Sequence, residues 1–285
     1  LAALQILGDI ELEEGRNADA ESRYLQFLAA VKAINASSKR TVQMHSEIGN
    51  VHYNLGNAVQ NQGRSEDALD HFQEAIRFKP ELAEAHYSLG KALEMLGRPE
   101  NALARYREAL QLKPELAEAH HHLGNALQTL GRVEDSLAHY RKAIRLRPDY
   151  ADAHDNLGLA LQALGRFEDA VKHYRKSLQV QSDRLVSLNN LAWILATCGS
   201  EEVRNGRQAV ELAKRAAGLT SHQNPSILGT LSVAYAEAGN FEQAVRWQEK
   251  AIQIAPDEQK AVHRERLELY KQGKPFRDPR DKSLE

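Results

Sequence analysis

Residues 83–116 read AEAHYSLGKALEMLGRPENALARYREALQLKPEL, and residues 117–150 read AEAHHHLGNALQTLGRVEDSLAHYRKAIRLRPDY. More than half of the aligned positions are identical, without a gap, at a period of 34. Self-similarity at such a period is the signature of a stacked-repeat architecture. The register extends upstream through 49–80, GNVHYNLGNAVQNQGRSEDALDHFQEAIRFKP, and downstream through 151–180, ADAHDNLGLALQALGRFEDAVKHYRKSLQV.

The unit has a physical logic of its own. Leu89, Gly90 and Leu93 fall on one face of a helix at the 3.6-residue period, and Gly97 is placed to end that helix in a left-handed turn. A second helix follows with Ala102, Leu103, Tyr106, Ala109 and Leu110 on its inner face. Gly90 and Ala102 are small where two helices must approach, and Tyr106 fills the space beside them. Pro114 marks the exit, since it cannot extend a helix interior. The same roles fall to Gly56, Ala68, Phe72 and Pro80, and to Gly124, Ser136, Tyr140 and Pro148. They recur in Gly158, Ala170 and Tyr174, with Ser182 replacing the proline. One helix pair cannot bury its apolar faces alone, so the pairs must stack.

These residues resemble the tetratricopeptide repeat (TPR) family. The resemblance implies an all-α fold, a right-handed α-solenoid of about six helix-turn-helix repeats with a C-terminal capping helix. Residues 1–48 are expected to form a divergent first repeat, with Glu11 at a normally apolar position, an extended second helix and a break near Asn35-Ala36-Ser37-Ser38. Regular repeats are expected at 49–82, 83–116, 117–150 and 151–184. A repeat with an insertion near 199–206 follows at 185–224, then another at 225–258, a capping helix at 259–272 and a frayed tail at 273–285.

Composition agrees with helices and narrows the function. Ala, Leu, Glu, Gln and Arg dominate, and there are only 8 prolines in 285 residues. Thirty-seven Lys and Arg against 39 Asp and Glu leave a net charge of −2, which supplies no basic footprint for nucleic acid. Mean hydropathy is −0.56, and no apolar run reaches the ~18–20 residues of a membrane span. A single cysteine, Cys198, excludes a disulfide framework and a cysteine zinc site, and is compatible with a reducing cytoplasm. The chain starts at Leu1 inside a helical pattern, so it reads as a piece of a longer or processed protein, and Lys282-Ser283-Leu284-Glu285 resembles a cloning remnant.

In the TPR family the first helix of each pair lines a concave groove that binds peptides or partner proteins. The resemblance therefore places partner contacts at Tyr53, Asn54, Asn57, Tyr87, Lys91, His121, His122, Asn125, Asp155, Asn156, Asn190 and Trp193. Asn54, Asn156 and Asn190 share one repeat position, with Ser88 and His122 between them, similar to the asparagine ladder of the O-linked N-acetylglucosamine transferase superhelix. An Asn side chain offers one donor group and one acceptor, so it can pair with any peptide backbone. The alternative is that these amides bond between neighbouring helices. A carboxylate clamp is not expected, because Lys91 is outnumbered by Glu84, Glu94, Glu118, Asp152 and Asp155. A neutral to basic protein or peptide segment is the expected partner.

His52, His86, His120 and His154 recur every 34 residues. Equivalent positions in stacked repeats lie a helix-packing distance of ~8–10 Å apart, too far to share a zinc ion, so packing at the repeat interface is the better reading and no metal or cofactor is expected. Arg105, Arg107, Arg141 and their neighbours on the second helices read as a solvated face with interspersed acids. Trp193 serves either as an inward stacking platform or as packing beneath the insertion. No phosphate-cradling loop, nucleophile elbow or metal-ligand helix motif is present, so the chain reads as a non-catalytic interaction scaffold. The alternative is an accessory region of a larger enzyme such as a glycosyltransferase; self-association is a third possibility.

Overall fold

The computed structural model describes residues 1–34 and 42–279. The expected break at 35–38 and the ending 282–285 lie outside the described residues. Every regular element among the described residues is an α-helix. The chain divides into two compact units, Leu1–Leu146 and Arg147–Glu285.

The first unit holds four helical hairpins: α1 (Ala2–Glu13) with α2 (Asn17–Ile34), α3 (Val42–Asn61) with α4 (Ser65–Phe78), α5 (Ala83–Met95) with α6 (Pro99–Leu112), and α7 (Ala117–Thr129) with α8 (Val133–Leu146). The second holds three, α9 (Ala151–Ala163) with α10 (Phe167–Val180), α11 (Leu185–Thr197) with α12 (Gly206–Leu219), and α13 (Pro225–Glu237) with α14 (Phe241–Ile254), closed by α15 (Asp257–Lys271). Within each unit, successive hairpins stack, as the need to bury their apolar faces requires.

The turn after α5 shows how the repeat is punctuated. Gly97 takes φ 68°, a left-handed conformation that costs a side-chain-bearing residue energy. Its N–H then bonds the Glu94 carbonyl at 3.0 Å and the Arg98 N–H bonds that of Leu93 at 2.9 Å, satisfying two orphan carbonyls of the helix end. Pro99 opens α6 at a position where no N–H is needed.

Close approach holds each hairpin together. A Cβ added to Gly90 would stand 2.6 Å from Cε1 of Tyr106, and one at Gly124 would stand 2.5 Å from that of Tyr140. In the second unit Gly158 faces Tyr174 in the same way. These rings are fully buried. In the first hairpin Glu11, at its normally apolar position, is buried but answered by Arg16 at 3.4 Å and Arg23 at 3.5 Å.

Three of the four periodic histidines tie their repeat to the turn before it. His86 Nε2 lies 2.9 Å from the carbonyl oxygen of Pro80, His120 Nε2 3.0 Å from that of Pro114, and His154 Nε2 3.1 Å from that of Pro148. Nδ1 of each turns to the second helix, to Glu108, His139 and His173 respectively. No group of three or more metal-ligating side chains occurs among the described residues. No helix among them is long and apolar enough to cross a membrane.

Candidate partner-binding face

The first helices of the first unit carry a row of polar side chains that touch from hairpin to hairpin. Asn54 on α3 donates from Nδ2 to Asp9 Oδ1 on α1 at 2.8 Å, and Gln60 on α3 reaches Met95 at the end of α5. Between α5 and α7, the Tyr87 ring stands edge-on to His122 at 5.6 Å, and His122 Nδ1 lies 2.9 Å from Glu94 Oε2. Tyr53, Asn54, Asn57, Tyr87, His122 and Asn125 are half-buried, Lys91 is exposed, and His121 is buried between His122 and Tyr140.

Much of this row answers the hydroxyls of the second-helix tyrosines. Each ring crosses the hairpin, and its O–H needs a partner at the far side. Tyr24 donates to Asp9 at 2.7 Å, Tyr106 to Glu94 at 2.6 Å, and Tyr140 to Asn125 at 3.0 Å and Gln128 at 2.9 Å. In the second unit Tyr174 donates to Gln162 at 2.9 Å. Burial alone pushes the Glu94 carboxyl up, but the bonds from His122 and Tyr106 outweigh it and hold Glu94 below the usual carboxylate range. Glu84 is likewise lowered by its bond to Lys113 at 2.9 Å. The acidity read from the sequence is thus largely answered inside the fold.

In the second unit, Asp155 is buried and accepts from Arg184 Nε at 2.6 Å and, in a close bond, from Ser187 Oγ. Arg184 also holds Asp152, tying α9 to the start of α11. Asn156 is half-buried on α9, and Asn190 on α11 accepts from Asn189 at 3.4 Å. Of the ladder positions in the first unit, Asn54 and His122 are engaged by Asp9 and Glu94, while Ser88 is buried.

Trp193, half-buried on α11, packs against the segment that follows α15. Its indole N–H donates to Asp278 Oδ2 at 2.7 Å, and its ring lies 5.8 Å from that of Phe276. The segment expected to fray is therefore packed as far as Asp278, which is 2% exposed. Eighty-five residues separate Trp193 from Asp278, and no periodicity links them. Pro275 and Pro279 signal only that helix has ended. The insertion is organised instead by Arg204, which bonds the carbonyls of Cys198 and Gly199 and pairs with Glu237 at 3.1 Å. Arg105 on α6 pairs with Glu108 at 2.7 Å, and Arg132 and Arg166, just before α8 and α10, reach into those helices to pair with Asp135 at 2.5 Å and Asp169 at 2.8 Å.

Sequence profiles described as tetratricopeptide repeat match residues 53–117, 115–183 and 226–255, together more than half of the chain. No curated protein sequence matches it. Among solved structures, PilF of Pseudomonas aeruginosa is similar over 78% of this chain and 98% of its own, with 20% identity and a TM-score of 0.66. A MamA protein is similar over 64% of this chain and 92% of its own, with 23% identity and a TM-score of 0.53. MamA from Desulfovibrio magneticus RS-1 covers 61% of this chain and 96% of its own, with 20% identity and a TM-score of 0.54. At these identities the likeness is one of fold. Sequence register, paired helices and these matches agree: the chain belongs to the tetratricopeptide repeat family.

Proposed function

We propose that this protein is a non-catalytic interaction scaffold that holds an extended protein or peptide segment along the groove formed by its first helices. The observation that carries this reading is the continuous first-helix row of the first unit. There the half-buried Tyr53, Asn57, Tyr87, His122 and Asn125 and the exposed Lys91 combine aromatic faces with hydrogen-bonding groups. Half-buried aromatic and amide side chains offer contact area at low ordering cost, as recognition surfaces require. Because the acids nearby are paired internally, the fitting partner is neutral, or basic only to the extent that the remaining carboxylates favour.

A photo-crosslinking residue placed at Asn57 or Asn125 tests the reading against one placed at the exposed Arg107 on α6. Capture of partner from the first-helix positions only is the expected result. Equal capture from both sides overturns it. Replacing Asn54, Asn156 and Asn190 by Ala is expected to lower partner recovery, with a circular dichroism melt recorded so that lost fold is not read as lost binding.

A further inference from the structure

Residues 276–278 sit on the second unit as a ligand sits on a receptor. Helix α15 ends at Lys271, and Gly273, with a φ of 69°, turns the chain back, fastened by the Lys274 N–H to the Leu269 carbonyl at 2.9 Å. Three consecutive side chains then meet three different features. Phe276 faces Trp193 on α11, and the Arg266 guanidinium of α15 lies 4.8 Å from both ring centroids. Arg277 donates to Glu237 at the end of α13 at 2.6 Å. Asp278 takes the Trp193 indole N–H with its carboxylate, and its own backbone N–H caps the Thr197 carbonyl at 3.1 Å, where α11 ends and its carbonyls lack helical partners.

We infer that Trp193, Thr197, Glu237 and Arg266 form a binding site for a short segment bearing an aromatic residue, an arginine and an acidic residue in sequence. The chain's own Phe276–Asp278 holds this site in cis until a partner segment of that chemistry displaces it. This inference goes beyond the first-helix row of the first unit and stands on contacts within the second unit alone. Each contact has the form recognition uses: an aromatic against a cation-bearing indole wall, a charge-assisted ion pair, and a backbone bond to an exposed helix end. The triplet carries one charge of each sign, matching the neutral partner argued above. A cis segment on a short linker presents itself at an effective concentration in the millimolar range, so it shields the site from weak competitors and yields to strong ones.

The test uses the full chain with Phe276→Ala and Asp278→Ala, and a fluorescein-labelled peptide of residues 272–279 as probe. The substituted chain is expected to bind the probe saturably, the unsubstituted chain at least about tenfold more weakly. Adding Trp193→Phe to the substituted chain is expected to abolish binding. A second form, with a protease site inserted after Gly273 and cut after folding, frees the site without altering it. Absence of probe binding to either freed form overturns the inference, as does unfolding once the segment is released, which would make the segment a structural cap. Partner capture at Asn57 with no probe binding removes this inference alone. Probe binding with no capture at Asn57 removes the general first-helix reading and leaves the site.

Discussion

Gly90 faces the buried ring of Tyr106 so closely that a β-carbon there would stand 2.6 Å from Cε1. The ring is fully buried and its hydroxyl is held by Glu94, so it cannot swing aside without losing both packing and a bond. Gly97, seven positions on, faces open space and is needed only for its backbone angle. The two glycines therefore serve different physical ends.

Gly90→Ala is expected to destabilise the fold by about 1–3 kcal/mol through overpacking. Gly97→Ala is expected to cost about 1–2 kcal/mol through left-handed strain. Urea titrations of both, each combined with Tyr106→Leu, separate the causes. The tyrosine change should relieve Gly90→Ala in part and add to Gly97→Ala without coupling. Equal coupling would refute the distinction.

Acid should loosen the fold before the carboxylates titrate. Burial, aided by the neighbouring His71, pushes His52 down to about 4. Burial likewise lowers His71, His120, His139 and His154. An unfolded histidine takes its proton near about pH 6.5, so between there and the folded value the unfolded chain binds more protons. The histidine contribution is therefore complete above about pH 6.5 and lost as pH falls toward the folded values. Calorimetric melting should show a falling midpoint between about pH 6.5 and pH 5, and a smaller fall in a His52→Gln, His120→Gln variant. A midpoint flat over that range would contradict the burial argument.

The Asp155 carboxylate is the hub of a buried pairing. Removing its carboxylate strands Arg184 with only Asp152 and leaves Ser187 without its acceptor. Asp155→Ala is expected to cost about 3 kcal/mol, as breaking a buried pair does. Lys176→Ala, at an exposed position of α10, should leave the unfolding free energy within about 0.5 kcal/mol of the original. Chemical denaturation of both checks this; equal costs would mean that the Arg184 pair adds nothing.

Tyr106→Phe removes a bond to a charged acceptor while keeping the ring, as Phe72 does at the equivalent site of the preceding hairpin. A loss of about 1.5 kcal/mol is expected, since His122 still holds Glu94. The Glu94 carboxyl should titrate higher in the variant, because one of the bonds that lowers it is gone. Carboxyl-resolved NMR titration reads this directly, and an unmoved Glu94 would show that the hydroxyl does not stabilise its charge.

The helical repeat is legible in the sequence because it is local. Gly90, Ala102 and Tyr106 interact within one hairpin, and Gly97 acts on its own backbone, so each repeats its reason every 34 residues. The periodic histidines were legible as packing residues for the same cause, though their bonds to Pro80, Pro114 and Pro148 required coordinates. First-helix phase located the polar row, since side-chain direction follows from helical period. Which members of that row are already occupied was not legible. Asn54 depends on Asp9 and Asp155 on Arg184, and such pairings between hairpins leave no spacing signal of their own.

Periodicity thus specified that hairpins form, where they turn and which small residues let them close, because all of those forces act over a few helical turns. Only the tertiary structure decided what Trp193 touches. Its partner Asp278 lies 85 residues away, in a segment with no repeat and no amphipathic pattern. That contact exists because stacking brings the ends of α11 and α13 and the side of α15 to one place, exposing helix-end carbonyls and a Glu237 carboxylate that a passing chain can satisfy.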